Sequence, residues 1–307
     1  MNYGLAMFPG QGAQHPGMGV ELAEQSAAAK RVFDAAGEAA GFDVLGACRD
    51  SSPEELSRTE LSQIAIFTHS LAALAAMEER GVTFSAAAGF SLGEYTALTA
   101  SGVLSLADGL RLVRRRGQLM QKAADEQDGC MAAVLGLTDA AVEEACRKAG
   151  GVVLPVNYNC PGQLVIAGER PAVDAASEAC KAAGARRIMP LAVSGAFHTP
   201  MMEEAAAALC AFAGEMEFHQ PKMPVYTNLT GGKLEVGEMP AHLRRHMVSP
   251  VRWCALLQNA IRDGYVSGCE LGPGKTLCGF ARKIDKSFHA VQAETFTQIE
   301  AASEEKP

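Results

Sequence analysis

The chain lacks any Cys-x-x-Cys pair. Its nine cysteines, at Cys48, Cys130, Cys146, Cys160, Cys180, Cys210, Cys254, Cys269 and Cys278, stand apart. That spacing excludes the usual zinc-ligand patterns, so no metal site is expected. Met1-Asn2-Tyr3 carries no basic residue, and Gly4 to Phe8 is too short for a signal core. An odd cysteine count without a secretory leader fits a reducing compartment, so a cytoplasmic location is expected. Long apolar runs are missing as well: none of about 18 residues is found, and no membrane span is expected. Basic charge is in short supply. Lys and Arg number 27 against 35 Asp and Glu, a net charge of −8 at pH 7. That balance argues against nucleic acid as a partner. What remains is 48% hydrophobic and 20% charged, ordinary globular material. The 307 residues suit one large domain or two smaller ones. A monomer is the default expectation.

The most informative stretch is Gly89-Phe90-Ser91-Leu92-Gly93, a Gly-x-Ser-x-Gly pattern. A short, small or apolar run, Thr83 to Ala88, precedes it and reads as a buried strand. Glu94 to Ala100 follows and reads as a helix ending near Gly102. A serine at a tight strand-to-helix turn is a nucleophile elbow. The next backbone N–H then lies at a helix N-terminus, where it can hold an oxyanion. A plainer alternative exists: Ser91 and Glu94 also form Ser-x-x-Glu, a capping box that needs no chemistry.

Taken in order, Tyr3 to Phe8 reads as a strand entering a loop with Gly10, Gly12, Gly17 and Gly19. Such a loop lets backbone approach a ligand, or is a flexible connection. Helices are expected over about 20–40, 53–56 and 63–80. Another spans about 106–124, where Arg116 shares a face with Leu112, Val113, Leu119 and Met120. An inward arginine needs an anion. The choices are a core carboxylate such as Asp108 or Glu94, or a carboxylate on a substrate.

From about 127 the order becomes β-α-β-β-α-β, with strands at 130–137, 152–158, 163–167 and 186–191. This is a ferredoxin-like unit. The fold class expected is therefore α/β: a large α/β-hydrolase-like domain with a parallel sheet, residues 1–126 and 193–307, and an inserted ferredoxin-like small domain, residues 127–192. Asn157 to Gly162 reads as a polar turn that faces the cleft or is simply capped by asparagine. The chain returns through Val193-Ser194-Gly195-Ala196-Phe197-His198. His198 is either structural or the base a serine nucleophile requires. Short elements follow, and the last dozen residues are expected to fray.

Phe8-Pro9-Gly10-Gln11-Gly12, Gly89 to Tyr95, Arg116-Gly117, Asn159-Cys160-Pro161-Gly162-Gln163, Ala196-Phe197-His198, Pro250-Val251-Arg252-Trp253 and Glu270 to Gly274 occur in that order. The chain thereby resembles the malonyl-CoA:acyl carrier protein transacylases of fatty acid synthesis, and the related acyltransferase domains of polyketide synthases. The similarity runs from about Leu5 to Ile284. It implies that Ser91 takes the acyl group and His198 is the base. Gln11 and Leu92 would supply the oxyanion-hole N–H groups. Arg116 would bind the malonyl carboxylate, Phe197 would disfavour α-branched acyl groups, and Asn159 would lie at the substrate. The carbonyl of His246, at a position usually glutamine, would orient His198. Phe90 stands where the family usually has histidine. The resemblance implies no cofactor; the substrates are malonyl-CoA and phosphopantetheinylated acyl carrier protein, and the carrier is the partner. The alternative is a trans-acting malonyl transferase serving a polyketide synthase.

A hydrolase of the α/β type would need an acid between serine and histidine. Asp139 and Asp174 fall on an expected helix start and helix, so neither suits. A non-enzymatic carrier-binding module leaves Ser91, His198 and Arg116 together without a purpose. For carrier docking, Lys275, Arg282, Lys283 and Lys286 form one basic candidate and Arg186 with Arg187 a second.

Overall fold

The computed structural model describes residues 2–193 and 195–305. Two sheets organise it. The larger has five strands: β1 Asn2–Phe8, β2 Thr83–Gly89, β7 Val225–Tyr226, β8 Ser267–Leu271 and β9 His289–Ala293. Their order is β7-β2-β1-β8-β9 and every pairing is parallel. The smaller, antiparallel sheet has β3 Gly129–Leu135, β4 Val153–Cys160, β5 Gln163–Glu169 and β6 Arg187–Pro190, in the order β4-β5-β3-β6.

The sequence explains the large sheet directly. Side chains alternate across a strand. In β1, Ala6 and Phe8 enter one apolar cluster while Leu5 and Met7 enter another on the opposite face. Both faces are covered by helices, as a parallel sheet requires. The helix Thr59–Glu79 lies in the first cluster and is buried nearly all round. It begins at Thr59 and ends at Glu79, against the expected 63–80. An 18-residue window in it reaches a mean hydropathy of 1.2, long and apolar enough to cross a bilayer, yet 83% of that window is buried in the protein. A helix apolar on all sides belongs in the interior.

One face of the small sheet is closed by the helices Asp139–Ala149 and Arg170–Ala182, through Val134, Leu164, Ile166 and Val173. The other face, with Met131, Val156 and Val165, joins the main cluster beside Phe197. At its edge β4 is stitched to the large body: the Tyr158 N–H donates to the Val251 carbonyl at 2.9 Å, and the Val251 N–H to that of Val156 at 2.8 Å.

Other expectations shift. The first long helix breaks at Ser26 into Val20–Gln25 and Ala27–Ala40, with Ser26 capping the second. Asn157 and Asn159 lie within β4 rather than in a turn. Ser194 of the return segment lies outside the described residues. Of the last dozen residues, expected to fray, those at 296–304 form the helix Phe296–Glu304, opened by a Thr295–Gln298 capping box after β9, and residues 306 and 307 lie outside the described residues.

Candidate active site

Ser91 occupies the turn between β2 and the helix Leu92–Ala100, with φ 50° and ψ −103°. Positive φ is strained for a residue with a Cβ. Two glycines make the turn possible. A Cβ on Gly89 would fall 1.9 Å from the Gly93 carbonyl carbon, and one on Gly93 would fall 2.0 Å from the Phe8 carbonyl oxygen. Strand and helix therefore touch through bare backbone. The capping-box alternative is not realised. The Ser91 side chain makes no cap bond, and the Glu94 carboxylate instead accepts from the Asn228 N–H and His242 Nε2, each at 2.6 Å.

The hydroxyl is thus available. Ser91 Oγ lies 2.8 Å from His198 Nε2. On the far side of the ring, Nδ1 lies 3.1 Å from the His246 carbonyl and 3.0 Å from that of Ser249. Carbonyls only accept, so Nδ1 carries the proton and Nε2 turns its lone pair to the serine hydroxyl. Burial, and then the positive charge of Arg116, push the His198 pKa down to about 4. The imidazole is neutral at neutral pH. Among the described residues no carboxylate hydrogen-bonds this ring, so the arrangement is a dyad.

Arg116 is buried on the helix Leu106–Glu126. Its Nη1 donates to Gln63 Oε1 at 2.6 Å and its Nη2 to Ser91 Oγ at 3.2 Å. The guanidinium lies 4.8 Å above the Tyr95 ring, and its Nε–H is buried without a partner. Burial lowers its pKa, but a guanidinium stays charged. Neither expected core carboxylate reaches it: Glu94 is engaged as above, and Asp108 pairs with Arg111. Among the described residues the cation has no ion-pair partner.

The Gln11 side chain donates to Thr59 Oγ1 at 3.1 Å and accepts from Gln63 Nε2 at 3.5 Å, joining its loop to the group that holds Arg116. Gly10 packs on the Phe90 backbone, where an added Cβ would lie 2.7 Å from the Phe90 carbonyl oxygen. Leu92 is the first residue of the helix after Ser91.

Residues 6–298 match the acyl transferase domain family over nearly the whole chain. The chain belongs to that family. It is 40% identical over 282 residues to the malonyl CoA-acyl carrier protein transacylase of Escherichia coli strain K12, covering 91% of each chain. The solved acyl carrier protein S-malonyltransferase of Vibrio cholerae superposes with a TM-score of 0.92 at 38% identity, covering 97% of this chain and 99% of that one. A malonyl-transacylase solved in complex with its type II polyketide synthase acyl-carrier protein gives a TM-score of 0.95 at 36% identity, covering 98% and 99%.

In this acyl transferase, Phe197, the residue before His198, is buried, and its ring packs on Gly195, where an added Cβ would meet it at 2.6 Å. Asn159 is buried in β4 with its Oδ1 unpartnered, and bonds neither Ser91, His198 nor Arg116. Phe90 packs its ring 6.0 Å from Trp253 and 6.1 Å from Phe280. Lys275, Arg282, Lys283 and Lys286 are exposed. Lys283 reaches Gln163 Oε1 at 3.3 Å, and Lys286 lies beyond the end of its helix, Thr276–Ile284. Arg186 and Arg187 sit apart, at the β6 edge of the small sheet.

Sequence reasoning missed Gln63, Asn228 and the Ser249 carbonyl. Gln63 was detectable in part, since it opens the apolar stretch of its helix and a buried amide there needs a polar partner.

Proposed function

We propose that this acyl transferase moves malonyl from malonyl-CoA to the phosphopantetheine thiol of holo acyl carrier protein, through a malonyl-Ser91 ester, and so supplies extender units for fatty acid synthesis. The observation that carries this reading is Arg116: a buried cation without an ion-pair partner, 3.2 Å from the serine oxygen that meets the histidine. Malonyl is an acyl group that brings its own carboxylate. A hydrolase for plain acyl chains has no use for that cation.

In the first half-reaction His198 Nε2 accepts the Ser91 proton as Oγ attacks the thioester carbonyl carbon. The N–H groups of Leu92 and Gln11 receive the negative oxygen. The C–S bond breaks, and the CoA sulfur leaves with the proton returned by His198. In the second, His198 takes the carrier thiol proton, the thiolate attacks the ester, and Ser91 recovers its proton. No oxidation state changes, and the reading assigns no cofactor. Arg116 holds the malonyl carboxylate, Phe197 crowds its α-carbon, and Asn159 contacts the substrate. The segments 1–126 and 193–307 form the catalytic domain, and 127–192 the small one. A cytoplasmic monomer completes the proposal.

Intact mass tests it. Brief exposure to malonyl-CoA should add one malonyl group, and holo carrier protein should remove it as carrier thioester. Adduct on Ser91→Ala, or release only as free malonate, would overturn it. The similarity to a polyketide-associated malonyl-transacylase supports a second reading, a trans-acting supplier of a polyketide carrier. Transfer rates to carriers of both kinds decide between them.

A further inference from the structure

We propose that Asn228 is a positioning residue for the reaction: its carboxamide brackets the Ser91 turn and holds the serine in its strained conformation. The inference rests on the reading of Ser91 as the nucleophile.

The placement begins in the large sheet. β7 runs parallel to β2 with Tyr226 opposite Ala88, so the chain beyond β7 arrives beside the turn that follows β2. Asn228 is fully buried there. Its Oδ1 accepts the Ser91 N–H at 2.7 Å, and its Nδ2 donates to the Gly89 carbonyl at 2.6 Å. One planar amide thus satisfies a donor and an acceptor that flank Phe90 on opposite sides. Asparagine is itself held. Its backbone N–H donates to Glu94 Oε2 at 2.6 Å, its carbonyl accepts from the Arg252 N–H at 3.1 Å, and His246 Nε2 lies 3.4 Å from its Oδ1. His242 Nε2 contacts the other Glu94 oxygen at 2.6 Å.

Two consequences follow from donor and acceptor inventory. The positive φ of Ser91 is opposed by sterics and supported by this amide, which keeps Oγ on the line to His198. The Ser91 N–H is also consumed, which leaves the next amide, Leu92, for a developing oxyanion. Aspartate has the acceptor without the donor and would set an oxygen against the Gly89 carbonyl. Alanine has neither. Displacement of a reacting atom by about 1 Å costs on the order of 10²-fold in rate.

The test is single-turnover acylation by malonyl-CoA, followed by intact mass at saturating and sub-saturating substrate, with thermal melts in parallel. Asn228→Ala should lose about 10²-fold in the saturated rate while its half-saturation concentration changes little. Asn228→Asp should recover part of that rate. A merely structural role would lower the melting temperature and leave the saturated rate of the folded fraction intact; that result overturns the inference, as does a loss confined to half-saturation. If the alanine variant does not fold, the near-isosteric aspartate variant is read alone, and a wild-type rate from it overturns the inference. Adduct on Ser91→Ala sinks the nucleophile reading instead, so the two failures are distinct.

Discussion

Ser91 and His198 are the two non-glycine residues at positive φ among those described, at 50° and 63°, and their side chains meet at 2.8 Å. Each such conformation costs about 1–3 kcal/mol and persists only where the surroundings impose it. Hydrogen bonds surround both: the Asn228 carboxamide accepts the Ser91 N–H, and the His246 and Ser249 carbonyls accept from the His198 ring. Strain concentrated on two residues that touch marks where the fold has been made to serve chemistry.

Arg116→Ala should lose most malonyl loading while acetyl loading is kept or rises. A charge-assisted hydrogen bond contributes roughly 1.5–3 kcal/mol, about ten- to a hundred-fold in preference. Arg116→Lys should recover only part of the selectivity, since an ammonium cannot hold both carboxylate oxygens in one plane. The measurement is loading from malonyl-CoA and acetyl-CoA with parallel melts. Equal loss of both activities, tracking a lower melting temperature, would make Arg116 a structural residue.

The pH profile follows from His198. With its pKa depressed to about 4, the ring is unprotonated and able to accept a proton from neutral pH down to about 5. Activity is lost only as pH falls through the depressed value. In kcat/KM, malonyl loading should be flat above about pH 5. Arg116 contributes to the depression, and a bound malonyl carboxylate cancels part of its field. The kcat profile with malonyl-CoA should therefore fall at a higher pH than the profile with acetyl-CoA. A kcat/KM profile already falling near pH 6.5 contradicts this.

Phe197→Ser should raise methylmalonyl transfer relative to malonyl. The ring is buried, on the residue before His198, and the proposed role sets it against the acyl α-carbon. A single methyl contact separates substrates by about 10–200-fold. Competition between the two CoA esters gives the ratio, and an unchanged ratio removes Phe197 from specificity.

Charge reversal at Lys283 and Lys286 should slow transfer to carrier protein and leave acylation by malonyl-CoA alone. Both are exposed, with Arg282 in the same last turn as Lys283, on a protein of net charge −8, so attraction for an acidic carrier must be local. The effect should shrink as salt rises. If both half-reactions respond equally, or neither does, docking lies elsewhere, with Arg186 and Arg187 next to be tested.

The elbow was legible because glycines punctuate it, and the β-α-β-β-α-β run because Gly136, Gly150, Gly151, Gly162 and Gly184 separate its apolar stretches from its amphipathic ones. Arg116 was legible as an inward cation on an apolar stripe. Its partner was not: Gln63 lies 53 positions away, and no local pattern selects it over Glu94. Asn228 was hidden for the same reason, being 137 positions from the amide it accepts. The C-terminal helix escaped notice because only Ile299 and Ala302 are buried in it, too few to show a period among glutamine, serine and glutamate. Its anchor is remote as well, since the Tyr3 hydroxyl donates to the Ala302 carbonyl at 2.8 Å.

The two hydrogen bonds between β4 and the Val251 segment provide a natural gauge of motion. The Tyr158 and Val251 amides are protected only while the small sheet stays against the large body. Amides inside β3 and β5 are protected by the small sheet itself. Deuterium uptake at Tyr158 and Val251 ahead of β3 and β5 would report separation of the two bodies without unfolding of either. Uptake in step would mean that the two bodies part only when the molecule unfolds, so that the small sheet and the Ser91 turn move as one unit.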